Sequence, residues 1–142
     1  MRELPRQLSV EELSALFEGR TVFVERLAAL EDPLGNARDI AAQLTDAEKK
    51  EVLDAHPAIG GPTHSARSAA EQGADAAPPE LAELNREYEA RFGFRFVVFV
   101  DGRPKSAIVP ILRERLANSR EEELETALDE LIAIAENRWR TS

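Results

Sequence analysis

The sequence predicts an all-α protein: a single compact multi-helix domain over residues 1–142, with one short extended buried segment from Phe94 to Val100. Three observations predict this class. Helix-start signals recur along the chain, apolar residues follow at helical spacing, and only one run is rich in β-branched and aromatic residues. A chain of 142 residues is also long enough to bury a core as one domain without disulfides or metals.

Ser/Thr-x-x-Glu patterns mark three helix starts, because a hydroxyl and a carboxylate three residues later can each accept a hydrogen bond from the other's main-chain N–H group. Together with Pro- and Gly-containing breaks between apolar-periodic stretches, they predict roughly eight helices. The three pairs are Ser9 with Glu12, Thr45 with Glu48 and Ser119 with Glu122. The candidate helices span Arg20 to Leu30, Asn36 to Leu44, Thr45 to Ala55, Ser65 to Ala74, Pro79 to Arg91 and Ser106 to Ala117, with a first helix after Ser9 and a long amphipathic C-terminal helix after Ser119.

The run Phe92-Gly93-Phe94-Arg95-Phe96-Val97-Val98-Phe99-Val100, followed by Asp101-Gly102, is locally typical of a buried strand and a turn. No second run of this kind occurs to pair with it. We therefore expect extended buried backbone in a helical protein, with N–H and C=O groups that water, side chains or a ligand must satisfy. A ligand is the functional interpretation, and simple core packing is the structural one.

His56 lies where a helix has to end, since Pro57 and the Gly60-Gly61 pair follow it. The negative end of the helix dipole favours a protonated imidazole. The sequence therefore predicts that the pKa of His56 rises from about 6.5 towards neutrality, which suits a proton donor. The alternative is a capping or surface histidine.

Two further features could bind a ligand: a group of three polar residues and one arginine. Ser68, Glu71 and Gln72 share one face of the Ser65–Ala74 candidate helix, where a hydroxyl, a carboxylate and an amide could hold a flat ligand rich in ureido and imide groups. Arg138, near the end of the last helix, could balance that helix's dipole or reach a substrate anion. From spacing alone, a solvated helix face is the favoured interpretation of the first group, and dipole compensation is the favoured interpretation of the arginine.

Composition excludes several classes of site. The chain has no cysteine and two histidines, so thiolate and histidine-rich metal sites are not expected, and we predict no metal. A net charge of −9 argues against non-specific nucleic-acid binding. No apolar run is long enough for a membrane span, and the first residues lack the apolar core of a secretory signal, so we expect a cytoplasmic protein.

Five short motifs, taken in order, resemble the OHCU decarboxylase family, where OHCU is 2-oxo-4-hydroxy-4-carboxy-5-ureidoimidazoline. Each motif is weak alone, but their ordered combination is specific, and the similarity runs from about Leu8 to Trp139. The motifs are His56-Pro57, Ser68-x-x-Glu71-Gln72, Asn85-x-x-Tyr88, Arg91-Phe92-Gly93-Phe94 and Ile111-Leu112-x-x-Arg115-Leu116-x-Asn118.

The resemblance implies an all-helical enzyme, a homodimer in many members, that converts OHCU to (S)-allantoin in urate breakdown without a cofactor. It implies that His56 is the proton donor and that Glu71 assists it. The substrate-binding set that it implies comprises Pro57, Ser68, Gln72, the main chain of Phe96, Val97, Val98, Phe99 and Val100, and Arg138.

Two positions depart from the family pattern. Arg95 stands where many members have proline, which predicts a less rigid entry into the extended segment, and the loop from Gly60 to Ser68 is shorter than in some relatives. Two alternative functions also stay open at this point. One is a non-enzymatic helical interaction module, and the other is a related enzyme acting on another ureido or imide compound.

Overall fold

Seven helices form in residues 7–57, 59 and 77–141, the part of the chain that the computed structural model describes. That part contains no strand, so the predicted all-α class is confirmed. The candidate helix from Ser65 to Ala74 lies outside the described residues. The helices are α1 (Val10–Phe17), α2 (Val22–Ala28), α3 (Ala37–Gln43), α4 (Asp46–Asp54), α5 (Pro79–Phe92), α6 (Lys105–Leu116) and α7 (Arg120–Arg140).

The three predicted capping boxes are confirmed at the starts of α1, α4 and α7. In each, the hydroxyl of Ser9, Thr45 or Ser119 accepts the third helical N–H, and the glutamate at that position accepts the N–H of the cap. The candidate helix from Arg20 to Leu30 is shorter than predicted, because the Thr21 hydroxyl accepts the Val24 N–H and starts α2 at Val22. None of the described helices is long and apolar enough to cross a bilayer.

The core forms around α7, the longest helix. This helix packs against α1, α3 and α4, while α5 packs against α6. Its apolar stripe is buried from Leu124 to Trp139, and the Phe17 and Phe23 rings meet edge to face at 5.2 Å between centroids. The arrangement brings the ends of α1, α4 and α7 to one side of the core.

The segment from Phe94 to Val100 is extended and largely buried, as predicted. Gly93 ends α5 with a φ of 81°, a left-handed conformation that glycine adopts without a side-chain penalty. Two aromatic residues of the segment, Phe94 and Phe96, then pack edge to face on Tyr88 of α5. The predicted turn follows at Asp101 and Gly102, both with positive φ.

A buried polar cluster anchors this segment from behind. The Glu123 carboxylate is fully buried and accepts hydrogen bonds from Tyr88 Oη (2.6 Å), Arg115 Nε (2.8 Å) and Asn118 Nδ2 (2.7 Å). Arg115 Nη1 also donates to the Val97 carbonyl at 2.7 Å. Burial and the hydrogen bond to Glu123 raise the pKa of the Tyr88 hydroxyl, so this cluster keeps a neutral phenol beside one ion pair.

Candidate functional site

A cavity of about 40 Å³, partly open to solvent, lies between the end of α4, the extended segment and the last turns of α7. The structure brings together at its wall every predicted site residue that it describes. Ser68, Glu71 and Gln72 lie outside the described residues. The lining residues are His56, Pro57, Ile59, Phe96, Val97, Val98, Phe99, Val100, Ile134 and Arg138.

His56 stands just beyond the end of α4, as predicted from Pro57. The helix ends at Asp54, and the His56 N–H donates to the Leu53 carbonyl at 3.2 Å. The side chain is buried: the residue is 5% exposed, and Nε2 has no hydrogen-bond partner in the part of the chain described. A buried polar atom without a partner is costly unless a ligand or water completes it.

The prediction that the helix end raises the pKa of His56 is wrong. Burial penalises the charged ring and is the largest cause lowering this pKa to about 4; the Arg138 cation adds to it. Glu18 opposes the shift and Arg95 reinforces it. The imidazole is therefore neutral at pH 7 and can accept a proton before it donates one.

Arg95 sits on the carbonyls at the end of α4, where the negative end of the helix dipole lies. Its Nη1 donates to the carbonyls of Asp54 (3.1 Å) and His56 (2.5 Å), and its main-chain N–H donates to Asp54 Oδ1 (2.9 Å). A cation at this end offsets the dipole of α4, which would otherwise favour a protonated His56. Proline has no N–H and could not make the bond to Asp54. The start of the extended segment is therefore fixed to the end of α4, whereas the sequence predicted a less rigid start.

Arg138 reaches the cavity wall from α7 and is held in place by α1. It is 3% exposed, its Nη2 lies 2.8 Å from Glu18 Oε1, and its Nη1 donates to the Leu16 carbonyl at 3.1 Å. Glu18 caps α1 in a left-handed conformation, with a φ of 65°. A fixed ion pair therefore stands beside the buried imidazole.

The main chain of the extended segment is only partly available to a ligand. Arg115 occupies the Val97 carbonyl, Glu130 Oε1 accepts the Phe99 N–H at 3.3 Å, and Arg103 binds the carbonyls of Phe99 and Val100. The expectation that the whole run from Phe96 to Val100 offers main-chain groups is thus too broad.

The main-chain groups of Phe96 and Val98 remain free of partners within the described ranges. Neither their N–H groups nor their carbonyls have a hydrogen-bond partner among the described residues. Alternate residues of an extended chain direct their main-chain groups to the same edge. The two residues therefore offer one edge of donors and acceptors, while Arg115 holds Val97 on the other edge.

Sequence reasoning missed several residues of this site. Ile134 precedes Arg138 by four residues, so helical spacing alone could have placed the two side chains on one face of α7. Ile59 and Glu18 gave no comparable signal, because their positions depend on contacts between distant parts of the chain. In the described ranges, no group of three or more His, Cys, Asp or Glu side chains could hold a metal ion.

Sequence comparisons identify one family. Residues 2–140 match the family described as OHCU decarboxylase. The 2-oxo-4-hydroxy-4-carboxy-5-ureidoimidazoline decarboxylase of Haloferax volcanii is 34% identical over 116 residues, covering 75% of this chain and 69% of that protein. The uric acid degradation bifunctional protein PucL of Bacillus subtilis is 29% identical over 97% of this chain, which spans 31% of that protein's length.

Structural comparison agrees with the sequence. A crystal structure of OHCU decarboxylase in the presence of (S)-allantoin matches with a TM-score of 0.74 and 28% identity, over 89% of this chain and 94% of that chain. A crystal structure of (S)-allantoin synthase shares the fold, with a TM-score of 0.67 at 22% identity over 93% of this chain and 48% of that chain. The chain therefore belongs to the OHCU decarboxylase family, a family of carboxy-lyases.

Proposed function

We propose that this protein decarboxylates OHCU to (S)-allantoin, with His56 as the proton-transferring group and Glu71 assisting. The observation that carries the proposal is His56 Nε2: it is buried, has no partner in the described part, and belongs to a residue that lines a cavity. A decarboxylase of this kind needs an atom that can deliver a proton, because a ring carbon of the substrate must receive one on a single face after CO₂ leaves.

The chemistry suits a neutral imidazole. When the C–C bond to the carboxylate breaks, CO₂ leaves and the electron pair moves through the imidazoline ring onto a ring nitrogen, which takes up one proton from water, so no cofactor is needed to accept the pair. His56 takes the proton of the substrate hydroxyl, which becomes a carbonyl, and returns a proton to the ring carbon that bears the ureido group. Glu71 either orients the imidazole or binds the hydroxyl.

The remaining lining groups have roles in binding. The edge formed by Phe96 and Val98 is suited to the ureido and ring polar atoms, which need donors and acceptors at fixed angles. Arg138 supplies a cation for the carboxylate or for the negative charge that develops, while Pro57 packs beside the substrate. Ser68 and Gln72 complete the proposed binding set.

Circular dichroism of freshly generated OHCU tests this function, since the signal follows formation of one enantiomer of allantoin. We expect His56→Ala and His56→Gln to lower turnover by about 100-fold or more, in line with the loss of a general acid–base group. His64→Gln, which removes the other histidine, should keep near wild-type turnover. Undiminished turnover in a folded His56→Ala protein would remove His56 from the chemistry.

The same assay addresses the alternative functions. No turnover of OHCU by the wild-type protein, together with turnover of another ureido or imide compound, would favour the related enzyme. No turnover of either would favour the helical interaction module. The homodimer and the cytoplasmic location stay predictions, to be checked by sedimentation and by fractionation.

A further inference from the structure

We propose that Arg95 is a positioning residue for this reaction, holding His56 against the extended segment through the two carbonyls at the end of α4. The inference rests on the proposed function, because it takes His56 as the group that moves the proton. It concerns a residue that is not among those lining the cavity and that contacts the cavity-lining His56 from behind.

The contacts of Arg95 join α4 to the segment at two points. Its guanidinium binds the carbonyls of Asp54 and His56, and its own N–H binds the Asp54 carboxylate. Phe96, the first residue of the unpaired edge, follows Arg95 directly. The same side chain therefore fixes the main chain of His56 relative to the groups proposed to hold the substrate, where misplacement of about 1 Å can cost about 100-fold in rate.

Arg95 also contributes to the charge around the imidazole. In the described part, the charged groups that act on His56 are Arg138 from α7, Glu18 from the end of α1 and Arg95 from the segment, and the Asp54 carboxylate of α4 accepts the Arg95 N–H. Arg138 and Glu18 pair with each other at 2.8 Å. Removal of the Arg95 cation then leaves the negative helix end uncompensated and makes protonation of the ring easier.

A cap that only stabilised α4 would behave differently. Its loss would lower the free energy of unfolding and leave the imidazole and the chemical step unchanged in the folded protein. Arg95 is a suitable test position because its side chain is 31% exposed, and methionine retains much of its apolar stem.

The experiment compares Arg95→Met and Arg95→Lys with the wild type. Arg113→Met is the matched control, since Arg113 is exposed and pairs with Glu80 away from the cavity. Steady-state kinetics on OHCU give kcat and KM. Nuclear magnetic resonance of ring-labelled histidine gives the titration of His56 without substrate, and the two ring signals of a chain with two histidines are assigned with His64→Gln.

We expect Arg95→Met to lower kcat about tenfold or more with a smaller change in KM, and to raise the pKa of His56. Arg95→Lys should restore much of the charge effect on the pKa and part of kcat, since one ammonium can donate to two carbonyls as Nη1 does, but it stands on a shorter side chain than the guanidinium. Folded Arg95→Met protein with wild-type kcat and unchanged His56 titration would overturn the proposal. If His56→Ala were active, the proposed function would fail. The titration would still report whether Arg95 lowers the pKa of His56.

Discussion

The His56 imidazole is held neutral by its surroundings, and its burial has a consequence at acid pH. The folded pKa is about 4, and the unfolded pKa is about 6.5. Between these values the unfolded chain binds more protons, so the free energy of unfolding falls as pH drops from 6.5 towards 4. With about 1.36 kcal/mol for each pKa unit, the loss from this residue is roughly 3 kcal/mol.

Urea denaturation at a series of pH values from 7.5 to 4 measures this loss. The His56→Gln variant should lose less stability over this range than the wild type, because its side chain does not titrate. Carboxylates contribute to both proteins and cancel in the difference. Equal slopes for the two proteins would show that the folded-state pKa of His56 is not depressed.

The position of His56 could be predicted from its neighbours, but its protonation state could not. Pro57 and the following glycines end the helix locally, so the sequence contains the signal. The sign of the pKa shift depends on burial and on Arg138, which folding brings from the far end of the chain. The contacts of Arg95 with Asp54 could not be predicted either, since they join segments that are distant in the sequence.

Between elements, α5, α6 and α7 are joined by the buried Glu123 carboxylate. Glu123→Gln would leave the Arg115 guanidinium buried without its counter-ion, and loss of one partner of such a pair typically costs about 3–5 kcal/mol. We expect a fall of about 3 kcal/mol in the free energy of unfolding, measured by urea denaturation. Glu125→Gln, exposed on the same helix, should change it by less than about 0.5 kcal/mol.

The Glu123 change should also loosen the extended segment, because Arg115 holds the Val97 carbonyl. Hydrogen exchange should therefore speed up in Glu123→Gln, and not in Glu125→Gln, at Phe99 of the same segment, whose N–H donates to Glu130. Stability and exchange that match the wild type would contradict the anchoring role of this cluster.

Element starts were predictable where a local mechanism defines them. The boxes at Ser9, Thr45 and Ser119 need only four residues each, and all three are present. The extended segment could be predicted because its β-like composition had no partner run. Its hydrogen bonds to Arg115 and Glu130 could not, since these partners depend on how α6 and α7 pack.

At the scale of the whole molecule, a protein with a net charge of −9 presents two guanidinium groups near one buried imidazole. Arg95 and Arg138 lie close enough to His56 to lower its pKa. Arg138 lines the cavity as one half of an ion pair with Glu18, whereas Arg95 is not among the lining residues, so Arg138 is the cation that a bound carboxylate would meet. The proposed partners Ser68, Glu71 and Gln72 stay predictions from the family resemblance.

The central claim is that a ligand binds against Nε2 of His56, an atom without a hydrogen-bond partner in the described portion of the chain. Titration of the ring-labelled protein with (S)-allantoin tests it most directly. We predict a saturable shift of the His56 ring signal, with a midpoint that matches the affinity measured by calorimetry. Calorimetric binding of (S)-allantoin with no shift at His56 would contradict the claim.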